Sequence, residues 1–363
     1  MATILKTALY DSHLKAGAKT GPFAGYDMPL YYTDGVLKEH EWVRSQAGLF
    51  DVSHMGQIYL EGPGVVAFLE HITPSAFAKL GAGVAKYTVM TNPAGGIVDD
   101  LIITRINDQK FFSVINAGCK EKDIAWMTAH LPADVTLTRL DERALLALQG
   151  PQAEAALREV LDIDAGDLGY MRVMFVGDLI ISRLGYTGED GFEISVPASK
   201  AAVLWDQFLA SPLVKPIGLA ARDSLRLEMG YPLYGHDIDD HTSPLAADLG
   251  WVMGKTNTGF IGADKILDQP LPRKRVGVKL IDKGIAREGA EIRNDKNEVI
   301  GALTSGGHSP TLKSSIGMGY VDSAYAVPGT KIFVTVRGNH IAAEITALPF
   351  IPARTKSIKK AAA

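Results

Sequence analysis

The chain has 363 residues, a formal net charge of −4 and one cysteine, Cys119. This length predicts two or three domains, since a typical domain has about 100–150 residues, and the negative charge argues against a nucleic-acid binder held by phosphate contacts. A single cysteine excludes an internal disulfide and fits a reducing compartment. Because the sequence has no apolar run of membrane-spanning length and no secretion-signal core at its start, we predict a cytoplasmic protein, or one whose targeting peptide is already absent.

The same order of predicted elements occurs twice between residues 50 and 268. In each copy a strand, at 58–61 or 147–149, runs into a Gly-Pro pair and then into a helix with apolar residues at helical spacing. Two strands and another helix follow in each copy, so that each half has the order β-α-β-β-α, close to the ferredoxin-like fold. We therefore predict a duplicated α+β core. The paired strands are predicted at 101–106 and 111–115, and at 179–184 and 192–196.

Two adjacent acidic residues, Asp99 and Asp100, follow a Gly95-Gly96 turn at the start of an apolar strand. Successive side chains of a strand point to opposite faces. One carboxylate is therefore expected to face solvent while the other enters a cleft. The alternative is a plain turn in which both acids are solvated.

The strand at 192–196 places Phe192, Ile194 and Val196 on one face, and Glu193 and Ser195 on the other. A carboxylate in the position of Glu193 can accept two parallel hydrogen bonds from an amidine-like edge. A pterin ring presents such an edge. The alternative is a hairpin with a solvated glutamate.

A helix is predicted at 219–226, in which Arg222 and Arg226 are four residues apart and share a face. An apolar stripe of Ala221, Leu225 and Met229 lies beside them. A guanidinium next to such a stripe is suited to clamp an anion or a carbonyl group. The alternative is an ion pair with acidic residues of the same helix.

The segment from His236 to His241 does not have the spacing of a metal site. Its two histidines are five residues apart, not the four that place a zinc pair on one helix face. Cys119 lacks the surroundings of a catalytic thiol, and Gly81 and Gly83 lack the third glycine of a dinucleotide fingerprint. We predict a turn at 236–241 and no metal.

A stiff linker, Gln-Pro-Leu-Pro at 269–272, separates the duplicated core from a segment of short strands and hairpin turns. This pattern predicts a small all-β domain that closes into a barrel. Its strands are predicted at 276–280, 299–304, 316–321, 331–337 and 341–348. The predicted domains are 1–268, with halves at about 50–140 and 141–268, a barrel at 273–350, and a tail at 351–363.

The charge is unevenly divided along the chain. Residues 271–363 contain 15 Lys and Arg against 7 Asp and Glu, which leaves −12 on the first 270 residues. Such asymmetry predicts a basic face for an acidic partner or substrate. The alternative is an ordinary solvated barrel surface.

Six motifs, in order, resemble the T-protein family of the glycine cleavage system, and the similarity runs from about residue 9 to residue 350. The motifs are Phe-Asp-Val-Ser-His-Met-Gly at 50–56, Gly-Gly-Ile-Val-Asp-Asp-Leu at 95–101, Tyr-Thr-Gly-Glu-Asp-Gly at 186–191, Ala-Arg-Asp-Ser-Leu-Arg at 221–226, Tyr-Gly-His-Asp-Ile at 234–238 and Pro-Phe-Ile-Pro at 349–352.

The resemblance implies two related α+β domains and a C-terminal barrel, arranged like a cloverleaf around a folate channel. The implied activity transfers the methylene carbon of an aminomethyl group from the lipoyl arm of the H-protein to tetrahydrofolate. The products are 5,10-methylene-tetrahydrofolate, ammonia and the dihydrolipoyl H-protein. Tetrahydrofolate is thus the expected co-substrate and the acidic, lipoylated H-protein the expected partner, with no metal, flavin, nicotinamide, nucleic acid or membrane.

The resemblance also assigns site residues. Asp100 matches the family's key acid, and Glu193 and Arg222 match its pterin-binding pair. The tail departs from the family, because Ala-Arg-Thr-Lys at 353–356 replaces an aromatic pair found in many members. For this reason the resemblance does not imply a contact between the tail and folate. The remaining residues expected to line or border the folate pocket are Met55, Tyr87, Val114, Asn116, Tyr170, Tyr186 and Trp251.

Relatives of this family catalyse other reactions on the same fold. The main alternative is a folate-dependent demethylase of a sulfonium or N-methyl compound. Flavin-fused oxidising relatives are disfavoured because the chain has no flavin domain, and a tRNA-modifying class is disfavoured because residues 228–235 lack its Lys-Gly-Cys motif. A folate-binding module without a reaction is the non-enzyme alternative, and Asp100 weighs against it.

Overall fold

The computed structural model describes residues 4–267 and 269–357. An N-terminal segment precedes the repeat and forms a two-stranded sheet, two helices and one further strand. Among the helices of the described residues, not one combines the length and the apolar character needed to cross a membrane. The N-terminal elements are α1 (Tyr10–Lys15), β1 (Lys19–Phe23), β2 (Tyr26–Tyr31), α2 (Gly35–Ser45) and β3 (Ala47–Asp51).

The predicted duplication is present, and each copy has more strands than the sequence pattern indicated. Both copies have the order strand, helix, three strands, helix, strand. The first consists of β4 (Gly56–Glu61), α3 (Val65–Ile72), β5 (Val84–Thr91), β6 (Ile97–Asn107), β7 (Lys110–Ile115), α4 (Lys120–Ala129) and β8 (Thr136–Arg139). The second consists of β9 (Arg143–Gln149), α5 (Ala153–Leu161), β10 (Arg172–Val176), β11 (Leu179–Arg183), β12 (Gly191–Pro197), α6 (Ala198–Ala210) and β13 (Val214–Pro216).

The two copies share one 11-stranded sheet, in the order β13-β3-β9-β12-β11-β10-β5-β6-β7-β4-β8. They join where β10 pairs with β5, through Arg172 and Val84. From this junction outward both copies have the same strand order, except that β3 of the N-terminal segment is inserted between β9 and β13. Joining the copies in this way pairs two strands that would otherwise be exposed sheet edges.

Each copy has its own core on one face, and residues of both copies meet in a third core. In the second copy the predicted apolar face of β12 is fully buried against Trp205 and Phe208 of α6. The first copy packs β6 and β7 against α3 in the same way. The third core brings Phe112 and Val114 of the first copy together with Ala147 of the second. The opposite faces of the two copies therefore cover each other, and the helix Leu219–Glu228, which follows the second copy, also packs against them.

Two helices lead from the second copy to a closed barrel of six strands, in the order β14-β17-β16-β15-β18-β19. The barrel confirms the predicted all-β unit, and it contains one strand, β15, that three residues were too few to predict. The elements are α7 (Leu219–Glu228), α8 (Ala263–Ile266), β14 (Arg273–Leu280), β15 (Glu291–Arg293), β16 (Val299–Ser309), β17 (Ser314–Asp322), β18 (Lys331–Val336) and β19 (Asn339–Thr346).

Candidate functional site

A cavity of about 870 Å³ lies beside the junction of the two copies, and the barrel contributes Arg275 to its wall. Most of the lining comes from the strands nearest the junction, from α7 and from the segments on both sides of residue 234. The structure brings together all ten residues that the sequence analysis predicted for the site. They are Met55, Tyr87, Asp100, Val114, Asn116, Tyr170, Tyr186, Glu193, Arg222 and Trp251.

Glu193 and Arg222 face the cavity from β12 and α7. Glu193 is 7 % exposed, and burial raises the pKa of this carboxyl while the charge of Arg222 opposes the rise. Burial likewise lowers the pKa of Arg222. No hydrogen bond joins the two side chains within the described part of the chain, and Nη1 of Arg222 is buried without a partner there. Opposite charges thus line the cavity with donors and acceptors still free for a ligand.

The guanidinium of Arg222 lies over an aromatic ring. Its central carbon lies 5.0 Å from the ring centroid of Tyr186. A guanidinium stacked on an aromatic face is held by cation–π attraction without using its N–H donors. This contact can therefore hold Arg222 in place while its Nη1 stays free for a ligand.

Asp100 faces the cavity from β6, where Asn116 holds its carboxylate. The side-chain Nδ2 of Asn116 lies 2.9 Å from Oδ1 of Asp100 and 3.0 Å from its backbone carbonyl oxygen. Burial and the charge of Asp99 raise the pKa of Asp100 to about 7. Asp100 is therefore poised to exchange a proton near neutral pH, as a general acid or base requires.

An aromatic pair borders the cavity near Asp100. Trp251 stacks on Tyr87 of β5, with 5.5 Å between ring centroids and 21° between planes. Trp251 is 68 % exposed, an unusual position for a tryptophan. The pair forms a flat apolar surface at the rim, which suits a planar ligand.

The prediction that one of the adjacent acids faces solvent was wrong. The two side chains do point to opposite sides, but Asp99 is fully buried. Its Oδ1 accepts a hydrogen bond from Nδ2 of Asn116 at 3.0 Å. The reason is that β6 lies inside the sheet and both of its faces are covered. Asp99 therefore lies behind the cavity wall and does not line it.

Of the two arginines that share a face of α7, Arg226 does not line the cavity. Arg226 is buried, and its guanidinium donates to Asp223 at 2.8 Å, to Asp237 at 2.7 Å and to Ser305 of the barrel at 2.8 Å. The ion-pair alternative thus applies to Arg226, which ties α7 to the barrel. Arg222 alone of these two reaches the cavity.

Among the lining residues to which the sequence analysis gave no role is His54. It is 4 % exposed, and its Nδ1 has no hydrogen-bond partner within the described residues. Burial lowers the pKa of His54 to about 4, with the charge of Asp51 opposing and that of Arg222 adding to the decrease. A neutral imidazole therefore faces the cavity near neutral pH. The sequence feature that could have identified His54 as a site residue is its position in the motif at 50–56.

The histidines at 236–241 occupy a turn, as predicted. His236 lines the cavity and its Nδ1 lies 2.8 Å from Oε2 of Glu288. The backbone N–H of His241 donates to Asp239 at 2.9 Å. Neither contact is that of a metal ligand. The predicted absence of a metal stays a prediction.

The described part of the tail binds the second copy and not the cavity. Arg354 pairs with Glu189, and Nζ of Lys356 lies 2.8 Å from Oε2 of Glu154. The backbone N–H of Tyr170 donates to the carbonyl of Lys356 at 2.8 Å. The charged residues that replace the aromatic pair therefore fasten the tail to acidic groups. Residues 358–363 of the predicted tail lie outside the described residues.

The chain is similar to one family over nearly its whole length. The model of the GCVT N-terminal domain matches residues 9–257, and that of the glycine cleavage T-protein C-terminal barrel domain matches residues 273–351. The chain is 43 % identical to a mitochondrial aminomethyltransferase of Flaveria anomala, over 97 % of this chain and 91 % of the relative. It is 44 % identical to an aminomethyltransferase of Chlorobium luteolum, over 95 % and 98 %.

The fold matches a solved structure of the same kind. The crystal structure of glycine cleavage system aminomethyltransferase T from Bartonella henselae superposes with a TM-score of 0.94, at 41 % sequence identity. The match covers 98 % of this chain and all of that one.

Proposed function

This chain belongs to the glycine cleavage T-protein family of aminomethyltransferases, and we propose that tetrahydrofolate binds in its cavity as the acceptor of the transferred carbon. The activity is that of the glycine cleavage aminomethyltransferase. The proposed donor is the aminomethyl group carried on the lipoyl arm of an H-protein. The products are then 5,10-methylene-tetrahydrofolate, ammonia and the dihydrolipoyl H-protein.

The observation that carries the folate proposal is the joint presence of Glu193, Arg222 and Asp100 in one cavity. The volume of about 870 Å³ is within the range of small-molecule sites. Glu193 can accept two N–H groups from the amidine-like edge of a pterin. The free edge of Arg222 can donate to a carbonyl or anionic oxygen. The two side chains together would bind and orient the pterin.

Asp100 is the proposed catalytic residue. A carbon bonded to both nitrogen and sulfur develops positive charge as it loses one of them. The carboxylate of Asp100 would stabilise that charge inside the cavity. It would also receive the proton lost by the attacking folate nitrogen, directly or through water. Asn116 would keep the carboxylate in place during both steps.

The other predicted lining residues would position the ligand. Tyr87 and Trp251 supply an aromatic rim. Apolar and aromatic side chains at the remaining positions exclude water, which strengthens electrostatic contacts in the cavity. These residues are Met55, Val114, Tyr170 and Tyr186.

The basic C-terminal segment is the proposed docking region for an acidic H-protein. The segment 271–363 carries 15 basic against 7 acidic residues. Opposite charges speed encounter and fix orientation between partners. We assign the duplicated region to 1–268 and the barrel to 273–350 as functional units. The cytoplasmic location stays a prediction, because the matching relatives include both mitochondrial and bacterial proteins.

The decisive test measures ammonia released from aminomethyl-loaded H-protein, with and without tetrahydrofolate. We expect rapid release that depends on tetrahydrofolate and forms the methylene product in equal amount. Folate binding without ammonia release would favour the non-enzyme alternative. Turnover of a sulfonium or N-methyl substrate with no release from H-protein would favour the demethylase, which the names of the relatives do not support.

A further inference from the structure

A second group of titratable residues surrounds the side chain of Asp99, which points to the face of β6 opposite Asp100. One ligand-type atom from each of Asp99, Cys119 and Asp123 lies within 4.8 Å of the others. Asp99 and Asp123 have no exposed surface. If Asp99 and Asp123 are both treated as ionised, neither carboxylate oxygen of Asp123 has a hydrogen-bond donor within the described residues.

Two buried carboxylates with oxygen atoms within 4.8 Å of each other cannot both be ionised without a large loss of free energy. Each is desolvated, and the two charges repel each other. Burial and the charge of Asp99 raise the pKa of Asp123, and burial raises that of Asp99 as well. One proton placed between them removes the repulsion and provides the missing donor. Buried acid pairs that share a proton follow the same physics.

The groups around the pair support a single remaining negative charge. Lys122 is the nearby cation, and its ammonium donates to the carbonyl of Val98 and to the hydroxyl of Tyr234. Burial and the charge of Asp99 raise the pKa of the Cys119 thiol, which therefore stays neutral. Asp100 is the other acid near the pair, on the cavity side.

We propose that Asp123 carries the shared proton, donates it in a hydrogen bond to Asp99, and thereby acts as a positioning residue for Asp100. Asp99 then remains an acceptor for Asn116, whose Nδ2 lies 3.0 Å from Asp99 Oδ1 and 2.9 Å from Asp100 Oδ1. The inference rests on the catalytic role proposed above for Asp100.

The arrangement has a chemical consequence at the cavity. The charge on Asp99 is one of the two causes of the raised pKa of Asp100. The proton on Asp123 keeps that charge on Asp99, and the hydrogen bond fixes its position. Asp123 would therefore set both the orientation of the Asp100 carboxylate and the pH at which it ionises.

The test compares Asp123→Asn with Asp123→Ala. Asparagine has the size of a protonated aspartate and donates a hydrogen bond through Nδ2. We expect it to retain turnover within about tenfold of wild type and to leave the acidic limb of the pH profile in place. Alanine removes the donor, so we expect a loss of about tenfold or more in turnover, as for one hydrogen bond to a charged group. The acidic limb of the pH profile of Asp123→Ala should also shift, while its folate affinity stays near that of wild type.

Infrared difference spectroscopy tests the proton directly and does not depend on activity. At about pH 9, where Asp100 is ionised, wild type should show the carbonyl band of a protonated carboxyl that Asp123→Asn lacks. This measurement decides the matter even if the alanine variant fails to fold.

Three outcomes would overturn the inference. The first is the absence of that band in wild type, and the second is an Asp123→Asn variant as impaired as Asp123→Ala, which would indicate an anionic role. The third is a stoichiometric metal in purified protein that Asp123→Asn loses. If instead Asp100→Asn stays active while the band remains, the proposed catalytic role fails and the acid pair stands.

Discussion

The side-chain amide of Asn116 donates to the carboxylate of Asp100, with 2.9 Å between Nδ2 and Oδ1. The same nitrogen donates to Asp99 on the other side of the strand, at 3.0 Å. One amide therefore bridges a carboxylate in the cavity and a carboxylate in the protein interior. This bridge holds the cavity acid in place through an uncharged donor.

Asp100→Asn should abolish most of the activity and leave the fold intact. Asparagine keeps the size but removes the charge and the ability to accept a proton. We expect turnover to fall by at least about 10², with melting temperature near wild type and folate affinity within several-fold. The comparison variant is Asp99→Asn, which should be milder because Asp99 does not reach the cavity and acts on Asp100 only through Asn116 and through its charge. A dead Asp99→Asn with an active Asp100→Asn would mean that the wrong acid was chosen.

The pH dependence of turnover should follow the ionisation of Asp100. Burial and the charge of Asp99 raise the pKa of Asp100 to about 7. Below that pH the group is protonated and cannot stabilise a cation or accept a proton. We therefore expect kcat to rise as pH increases through about 7. A flat profile between pH 6 and 8, with stable enzyme, would contradict this assignment.

Glu193 and Arg222 should control folate affinity. Loss of a hydrogen bond to a charged group costs roughly 1.5–3 kcal/mol. Titration of Glu193→Gln and Arg222→Ala with reduced folate should therefore show Kd raised by about 10-fold or more. Arg158→Ala serves as the control, because Arg158 pairs on the surface with Asp164. Wild-type affinity in both cavity variants would exclude the pterin clamp.

Docking of H-protein should weaken with salt. The excess of basic residues at 271–363 would attract an acidic partner over a distance set by the Debye length, about 30 Å at 0.01 M and 8 Å at 0.15 M. We expect KM for loaded H-protein to rise across this range while kcat changes little. A constant KM would count against the basic segment as the docking region.

Glu228 should stabilise the protein above mildly acidic pH. It is fully buried and accepts hydrogen bonds from Arg44 at 2.6 Å and from Ser309 at 2.6 Å. Burial alone would raise the pKa of Glu228, but hydrogen bonding to His40 and Ser309 and the nearby charges lower it to about 2. Because the folded pKa is depressed, the stabilisation is present above pH 4.5, the ordinary value, and is lost as pH falls toward 2.

Glu228→Gln should therefore lower the free energy of unfolding at neutral pH by about 1.5–3 kcal/mol, since it removes the charge that faces Arg44 and His40 while Arg44 keeps its pair with Glu189. It should also weaken the pH dependence of stability in the acidic range. The surface pair of Glu344 and Lys331 offers a control, because Glu344→Gln should cost less than about 1 kcal/mol. Equal stability of Glu228→Gln and wild type in chemical denaturation would contradict the prediction.

Local pattern in the sequence predicted several features that the structure contains. Alternation along 192–196 placed Glu193 opposite the buried face of its strand, and the order of elements predicted the duplication and the barrel. Local pattern also made Asp100 and Arg222 candidates, whereas the resemblance to a family assigned the roles of these three residues and supplied the other seven cavity residues. In the two copies the strands β5, β8, β10 and β13 were missed, and so was β15 of the barrel, because short or mixed segments carry too little apolar pattern to indicate a strand.

The tertiary structure decided which face of each element meets the cavity and which is covered by another part of the chain. The sequence determined that Asp99 and Asp100 point to opposite sides, and that Arg222 and Arg226 share a helix face. Alternation and helical spacing are local, so they fix the relation between neighbours. Only packing between distant segments buried Asp99 beside Asp123 and gave Arg226 its partners Asp237 and Ser305. Those contacts join residues far apart in the chain, and no local pattern contains them.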